Sequence, residues 1–195
     1  MDVEVRSSNG ITLEPAETRL FTGRRIFLQG EITPEKACDF SRKVLLLNLE
    51  SREKPIRIYV NSPGGEINAG LLMYDVIQDS QAPIRMFCLG RAYSMAALLF
   101  SCGKHGRYML PHSELMLHEP LVGNPVTGSS SSIRSVAESL MESQRKISSL
   151  LSAHTGRSLE EVEKATAYDH YFSPEESVEF GLCDGILTFG RMVEG

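Results

Sequence analysis

Apolar positions along the chain alternate between two rhythms. Compact apolar runs at residues 25–30 (RIFLQG), 56–60 and 84–89 predict short buried strands. Between the first two, Ala37, Phe40, Val44 and Leu47 recur at helical spacing and predict a helix through Glu50. Thr33-Pro34 opens that helix, with a threonine cap and a proline at the first position, where no N–H is needed. A second helix is predicted over 66–80. After a turn at Gly90-Arg91-Ala92-Tyr93, the apolar stretch 94–102 predicts a buried third helix. Strand, helix and strand in this order imply right-handed βαβ crossovers and a largely parallel sheet, an α/β fold.

The second half is less regular. Two short apolar segments, 108–110 and 115–118, precede a stretch rich in Gly, Pro, Ser, Thr and Asn at 123–132, read as a loop or weak edge strand. Ile133, Val136, Leu140, Ile147 and Leu150 then mark one face of a long helix that stops near Gly156. Ser158-Leu159-Glu160-Glu161 and Ser173-Pro174-Glu175-Glu176 are capping boxes, each opening a short helix. Gly181 ends the second, and 186–189 predicts a last strand. Residues up to Thr22 are polar and turn-rich, with Ser7-Ser8-Asn9-Gly10 as a hairpin or loose tip. The expected organisation is an N-terminal segment, 1–22, followed by one domain, 23–195.

A formal charge of −5, with the cations scattered, disfavours nucleic acid as a partner. No apolar run approaches the ~20 residues that cross a bilayer, and the opening Met1-Asp2-Val3-Glu4 lacks a leader's basic start. Cys38, Cys88, Cys102 and Cys183 contain no C-x-x-C, so they read as small buried residues in a reducing compartment, and cytoplasm is expected, with no metal site.

Three places can carry chemistry. At Pro63-Gly64-Gly65 a strand breaks before a helix and bares backbone N–H groups that suit an oxyanion; an ordinary Pro-Gly turn is the alternative, and no phosphate-loop motif is present. Ser94 opens the apolar run Met95-Ala96-Ala97-Leu98-Leu99-Phe100, where it is a helix cap or a nucleophile with the Met95 N–H beside it. His118 ends Leu115-Met116-Leu117 and is a core histidine or that serine's base; Asp169 is a turn residue or the carboxylate that orients the base, and His170 is a rival base.

Taken together, Asn61-Ser62-Pro63-Gly64-Gly65, Gly90-x-Ala92-x-Ser94-Met95-Ala96-Ala97, Leu110-Pro111-x-Ser113-x-x-Met116-x-His118-x-Pro120, His154-Thr155-Gly156 and Asp169-x-x-Phe172-Ser173-x-Glu175-Glu176 resemble the ClpP family of Clp protease proteolytic subunits, in order from about residue 25 to residue 188. The resemblance implies a crotonase-like fold of repeated ββα units with a protruding handle helix, 133–153 within a handle region of about 123–155. It also implies a serine endopeptidase with Ser94 as nucleophile, His118 as base and Asp169 as orienting carboxylate. The N–H groups of Gly65 and Met95 would form the oxyanion hole, and Gly64, Pro120 and Leu121 would border the substrate groove. Two stacked seven-membered rings, an AAA+ unfoldase of ClpX, ClpA or ClpC type, and unfolded protein substrates are implied as partners. ATP would be used by the unfoldase, with no cofactor in this subunit.

Several positions depart from the family pattern. Glu119-Pro120 stands where Gln-Pro is usual, and Gly128-Ser129-Ser130-Ser131-Ser132 replaces a strand richer in Gln and Asp. Tyr168 occupies a position where an arginine commonly joins a ring–ring ion pair. Arg57 stands where an aromatic residue often lines the unfoldase-docking pocket, while Tyr59 and Tyr108 remain aromatic. These departures keep open a catalytically silent paralogous subunit of a mixed barrel. A crotonase-type acyl-CoA enzyme is the more distant alternative.

Overall fold

The computed structural model describes residues 1–7, 10–121, 123 and 127–194. At the N-terminus β1 (Asp2–Ser7) and β2 (Gly10–Pro15) pair antiparallel, so the expected hairpin forms; Ser8 and Asn9 at its tip lie outside the described residues. Helix α1 (Ala16–Thr22) follows, an element the polar sequence did not announce.

Strand β3 (Arg25–Gln29), helix α2 (Pro34–Glu50), strand β4 (Ile56–Ser62), helix α3 (Ile67–Asp79) and strand β5 (Ile84–Tyr93) make two βαβ units with parallel pairing throughout. The Thr33 hydroxyl accepts the Lys36 N–H and caps α2, whose Ala37, Phe40, Val44 and Leu47 are buried as their spacing requires. Helix α4 (Met95–Ser101) is buried along its whole length. Strands β6 (Arg107–Met109) and β7 (Glu114–Leu117) both pair parallel with β5, at different ends of it. The core lies between the sheet and α2, α3 and α4, with Met73, Leu98, Leu99 and Phe100 fully buried.

The turn expected at Gly90-Arg91-Ala92-Tyr93 is strand instead. Met86, Phe87 and Cys88 of β5 pair with β6, and Arg91, Ala92 and Tyr93 pair with β7, so one long strand changes neighbours at Gly90. There the buried Ser113 hydroxyl accepts the Gly90 N–H and donates to the Cys88 carbonyl, each at 2.9 Å, replacing ladder bonds the change of partner would leave open.

Helix α5 (Ser130–Thr155) ends at Gly156 in the left-handed region. Its apolar stripe is only half used: Leu151 is buried, whereas Ile133, Val136 and Met141 are 47%, 38% and 53% exposed. The stretch 123–132 falls partly outside the described residues. Helices α6 (Leu159–Thr166) and α7 (Pro174–Phe180) carry the two capping boxes intact, with Gly181 ending α7. Strand β8 (His170–Phe172) lies antiparallel to β7, placing His170 in a strand where a loop was expected. The last strand, β9 (Gly185–Ile186), is shorter than expected. The chain turns into α8 (Phe189–Glu194), which buries Met192 against Tyr59 and Phe87 on the face opposite the main core.

Cys88, Cys102 and Cys183 are buried, and desolvation pushes the first two thiols up to about 12 and the third to about 11. Cys38 departs from the expected burial and is exposed on α2. Among the described residues no helix is long and apolar enough to cross a membrane.

Candidate active site

Ser94 is held where β5 turns into α4, at φ +54° and ψ −124°. Only Arg24 shares a positive φ among the described residues other than glycine. Such a backbone persists when its surroundings over-determine it. Here the Ser94 N–H donates to the Met116 carbonyl at 2.7 Å, and its own carbonyl accepts the Ala97 and Leu98 N–H groups. The side chain makes no capping bond to α4. Its hydroxyl instead meets Nε2 of His118 at 2.8 Å. The helix-cap alternative for Ser94 is thereby removed.

His118 follows directly on β7, whose pairing with β5 sets Tyr93 beside Met116. The serine and the histidine thus sit just past the ends of two adjacent parallel strands. That end is where open α/β sheets expose side chains to a cleft.

The Pro63-Gly64-Gly65 turn packs against the same point. A Cβ on Gly64 would come within 2.7 Å of the Tyr93 carbonyl and 2.9 Å of the Ser94 Cβ, so only glycine permits this approach. Ile32 clamps the turn from the other side, its N–H donating to the Gly64 carbonyl at 2.8 Å and its carbonyl accepting the Glu66 N–H at 3.0 Å. This leaves the Gly65 N–H without an acceptor among the described residues, and the Met95 N–H, first in α4, is in the same position. Gly65, Ser94, Met95 and His118 all line one pocket of about 150 Å³.

Ile67, Leu98, Leu117, Ile147 and Leu151 form the apolar wall of that pocket, and Pro120 and Leu121 stand at its edge. Gly64 lies behind the serine and outside the lining. Glu119, exposed next to His118, accepts from Nε2 of Gln144 on α5 at 3.2 Å. Among the described residues neither a carboxylate nor a lysine lines the pocket.

Asp169 is not joined to this pair. It is exposed in the short connection between α6 and β8, and among the described residues no hydrogen bond links it to His118. His170, the rival base, stacks on Phe172 at a ring separation of 4.1 Å and lies outside the pocket. His154 meets the Tyr74 hydroxyl at 2.9 Å, and His105 accepts the Ile84 N–H. The pocket wall escaped the sequence reading. By spacing alone Ile147 is one position of a helical stripe, and its role depends on where α5 crosses α4.

The mostly parallel α/β sheet thus brings a serine and a histidine into contact over an apolar pocket. The chain belongs to the Clp protease family: the family model described as Clp protease matches residues 10–189 of its 195. Its fold is accordingly the crotonase-like α/β fold of ClpP-type proteases, and kinship makes it a peptidase of that type. The match begins within the N-terminal hairpin, at the first residue of β2.

Proposed function

We propose that this chain is a serine endopeptidase subunit of a Clp-type barrel. It would cleave unfolded polypeptides delivered by an AAA+ unfoldase of ClpX, ClpA or ClpC type, and small peptides unaided. The observation that carries this reading is the 2.8 Å contact between the Ser94 hydroxyl and Nε2 of His118. For that nitrogen to accept the serine proton, Nδ1 must carry the other ring proton, and Asp169 is the carboxylate that would hold it there.

The chemistry then runs in two halves. Ser94 Oγ attacks the peptide carbonyl as His118 takes its proton, and the carbonyl oxygen, now negative, is received by the N–H groups of Gly65 and Met95. His118 passes the proton to the departing amine, leaving an acyl-serine. Water, deprotonated by the same imidazole, attacks the acyl carbon, and the proton returns to Ser94 as the acid product leaves. The apolar wall formed by Ile67, Leu98, Leu117, Ile147 and Leu151 suits an apolar side chain next to the cleaved bond. Gly64, Pro120 and Leu121 would offer backbone to the extended substrate. ATP is consumed by the unfoldase, not here.

Assembly into two stacked seven-membered rings is part of this reading, with α5 as the handle between rings and residues 1–22 as the axial segment. The exposed Ile133, Val136 and Met141 support it. A second reading, a catalytically silent subunit completing a mixed barrel, is favoured by one observation, the missing bond between Asp169 and His118. A fluorophosphonate probe separates the two. Labelling at Ser94, lost in Ser94→Ala at unchanged oligomer size, supports the peptidase; no labelling of the assembled protein supports the silent subunit.

A further inference from the structure

The pocket beside Ser94 is walled mostly by apolar groups, yet a carboxylate stands at its mouth. His118 and Pro120 both line the pocket, while Glu119 between them does not. Its side chain goes to α5 instead, where Oε2 accepts from Nε2 of Gln144 at 3.2 Å. Gln144 is three residues before Ile147 and seven before Leu151, both of which belong to the pocket wall. Residues at this spacing share one helix face, so Gln144 continues the wall outward, about 4.5 Å beyond Ile147 along the axis. The Glu119 carboxylate is thereby fixed at the rim, past the end of the apolar wall and next in the chain to the histidine.

That carboxylate is not neutralised. Among the described residues Glu119 enters no ion pair, although Arg145 and Lys146 follow Gln144 directly. These two cations are exposed and turned about 100° and 200° round the helix from Gln144. Oε1 of Glu119 makes no hydrogen bond among the described residues. A neutral amide orients a carboxylate without cancelling its charge, which leaves an acceptor for an incoming ammonium or guanidinium.

An extended peptide rises about 3.3 Å per residue and sends alternate side chains to the same side. With an apolar side chain against Ile147 and Leu151, the side chain two positions away lies about 6.6 Å along, close to the offset of Gln144 and Glu119 from the wall. A lysine or arginine there lays its methylene stem along the apolar wall and keeps its charge at the rim.

We infer that Glu119 forms a second subsite at the mouth of the pocket, which takes a lysine or arginine side chain of a peptide whose apolar side chain, two positions away, fills the pocket. The inference rests on the peptidase reading above for the peptide as ligand and deepens it by naming the charge selected. An acidic side chain at the same place meets a like charge and is rejected. Glu119 decides which peptide is held and touches none of the reacting atoms.

The test uses three fluorescein-labelled pentapeptides, Lys-Ala-Leu-Ala-Lys, Gln-Ala-Leu-Ala-Gln and Glu-Ala-Leu-Ala-Glu, which place the variable side chain two positions from leucine on both sides. Binding to the full chain carrying Ser94→Ala is followed by anisotropy, so no peptide is consumed. A pair at an exposed rim predicts about fivefold tighter binding of the Lys peptide than of the Gln peptide at low salt, shrinking toward equality at about 1 M salt, with the Glu peptide weakest. Adding Glu119→Gln, which keeps the size of the side chain, brings the Lys and Gln peptides within about 1.5-fold of each other and leaves binding of the Gln peptide as it was. Equal binding of the Lys and Gln peptides, absence of binding included, overturns the inference, and so does a preference that survives Glu119→Gln. An equal loss for all three peptides in Glu119→Gln also overturns it, by giving the residue a purely structural role. Fluorophosphonate labelling of the chain with Ser94 intact is read separately: without labelling the peptidase reading fails, while the peptide preference stands or falls by itself.

Discussion

Leu117 and His170 face each other in the antiparallel β7–β8 pair, so His118 and Asp169 are the next residues out along the same two strands. The sheet delivers the carboxylate to the histidine's side of the subunit without closing the bond. Both strands are short, four residues in β7 and three in β8, and their free ends are where a small rearrangement costs least.

Asp169→Asn is therefore expected to leave the assembly intact and to lower turnover of a fluorogenic peptide by about three orders of magnitude, because the wrong imidazole tautomer is then stabilised. Turnover within twofold of the parent would remove Asp169 from the machinery.

Gly65→Ala is expected to be damaging out of proportion to its size. The added methyl would lie 2.3 Å from the Ile32 carbonyl oxygen, on a backbone at φ +153°. Moving the turn away displaces the N–H proposed as one of two oxyanion donors, and on that proposal kcat falls by about 10²–10³ with a smaller change in KM. Steady-state kinetics on a short peptide reads both constants.

Arg24 anchors the end of α2. Its guanidinium is buried and donates to the carbonyls of Leu47 and Ser51 at 2.9 Å and of Lys54 at 3.0 Å. Arg24→Met strips several buried acceptors of their donors at once, for an expected loss of about 3 kcal/mol. Thermal unfolding at fixed protein concentration should show a clearly lowered midpoint; an unchanged one would mean that water replaces the guanidinium at no cost.

The unburied half of α5 predicts assembly through that helix. Ile133→Asp combined with Met141→Asp puts two charges on the stripe, and light scattering after size exclusion is expected to show the particle mass fall to about half. A mass equal to the parent's would overturn assembly through α5.

Tyr93 supplies a pH signature. Its hydroxyl donates to Oε1 of Glu114, and that bond, with burial and the Glu114 charge, raises the phenol to about 12. The folded state therefore holds this proton more tightly than the unfolded chain does. The stabilisation is complete below the ordinary tyrosine range near 10 and is lost as pH rises through about 12. Ultraviolet titration should show Tyr93 titrating late, together with Tyr74, whose phenol burial also raises, and Glu114→Gln should move the Tyr93 component alone earlier.

Local rules carried most of the fold. Thr33, Ser158 and Ser173 each cap the helix they were expected to cap, because a cap is decided within four residues of sequence. What sequence could not carry was pairing. Gly90 reads as a turn, yet Ser113, distant in sequence, bridges the backbone there and lets β5 run on. Ser94 and His118 could be nominated from their places at the ends of apolar runs. Their contact and the pocket wall from α5 both follow from register, which one strand does not encode alone.

Helix α5 is a single rod with two occupations. Its outer turns stand in solvent, while Ile147 and Leu151 near its other end belong to the wall beside Ser94. An unbroken helix transmits a tilt along its whole length. A load applied to the far tip, by a neighbour or by a small molecule wedged under Ile133, would shift the pocket wall beside Ser94. Leverage of that kind makes the remote end of this subunit a place to tune its chemistry without touching the serine.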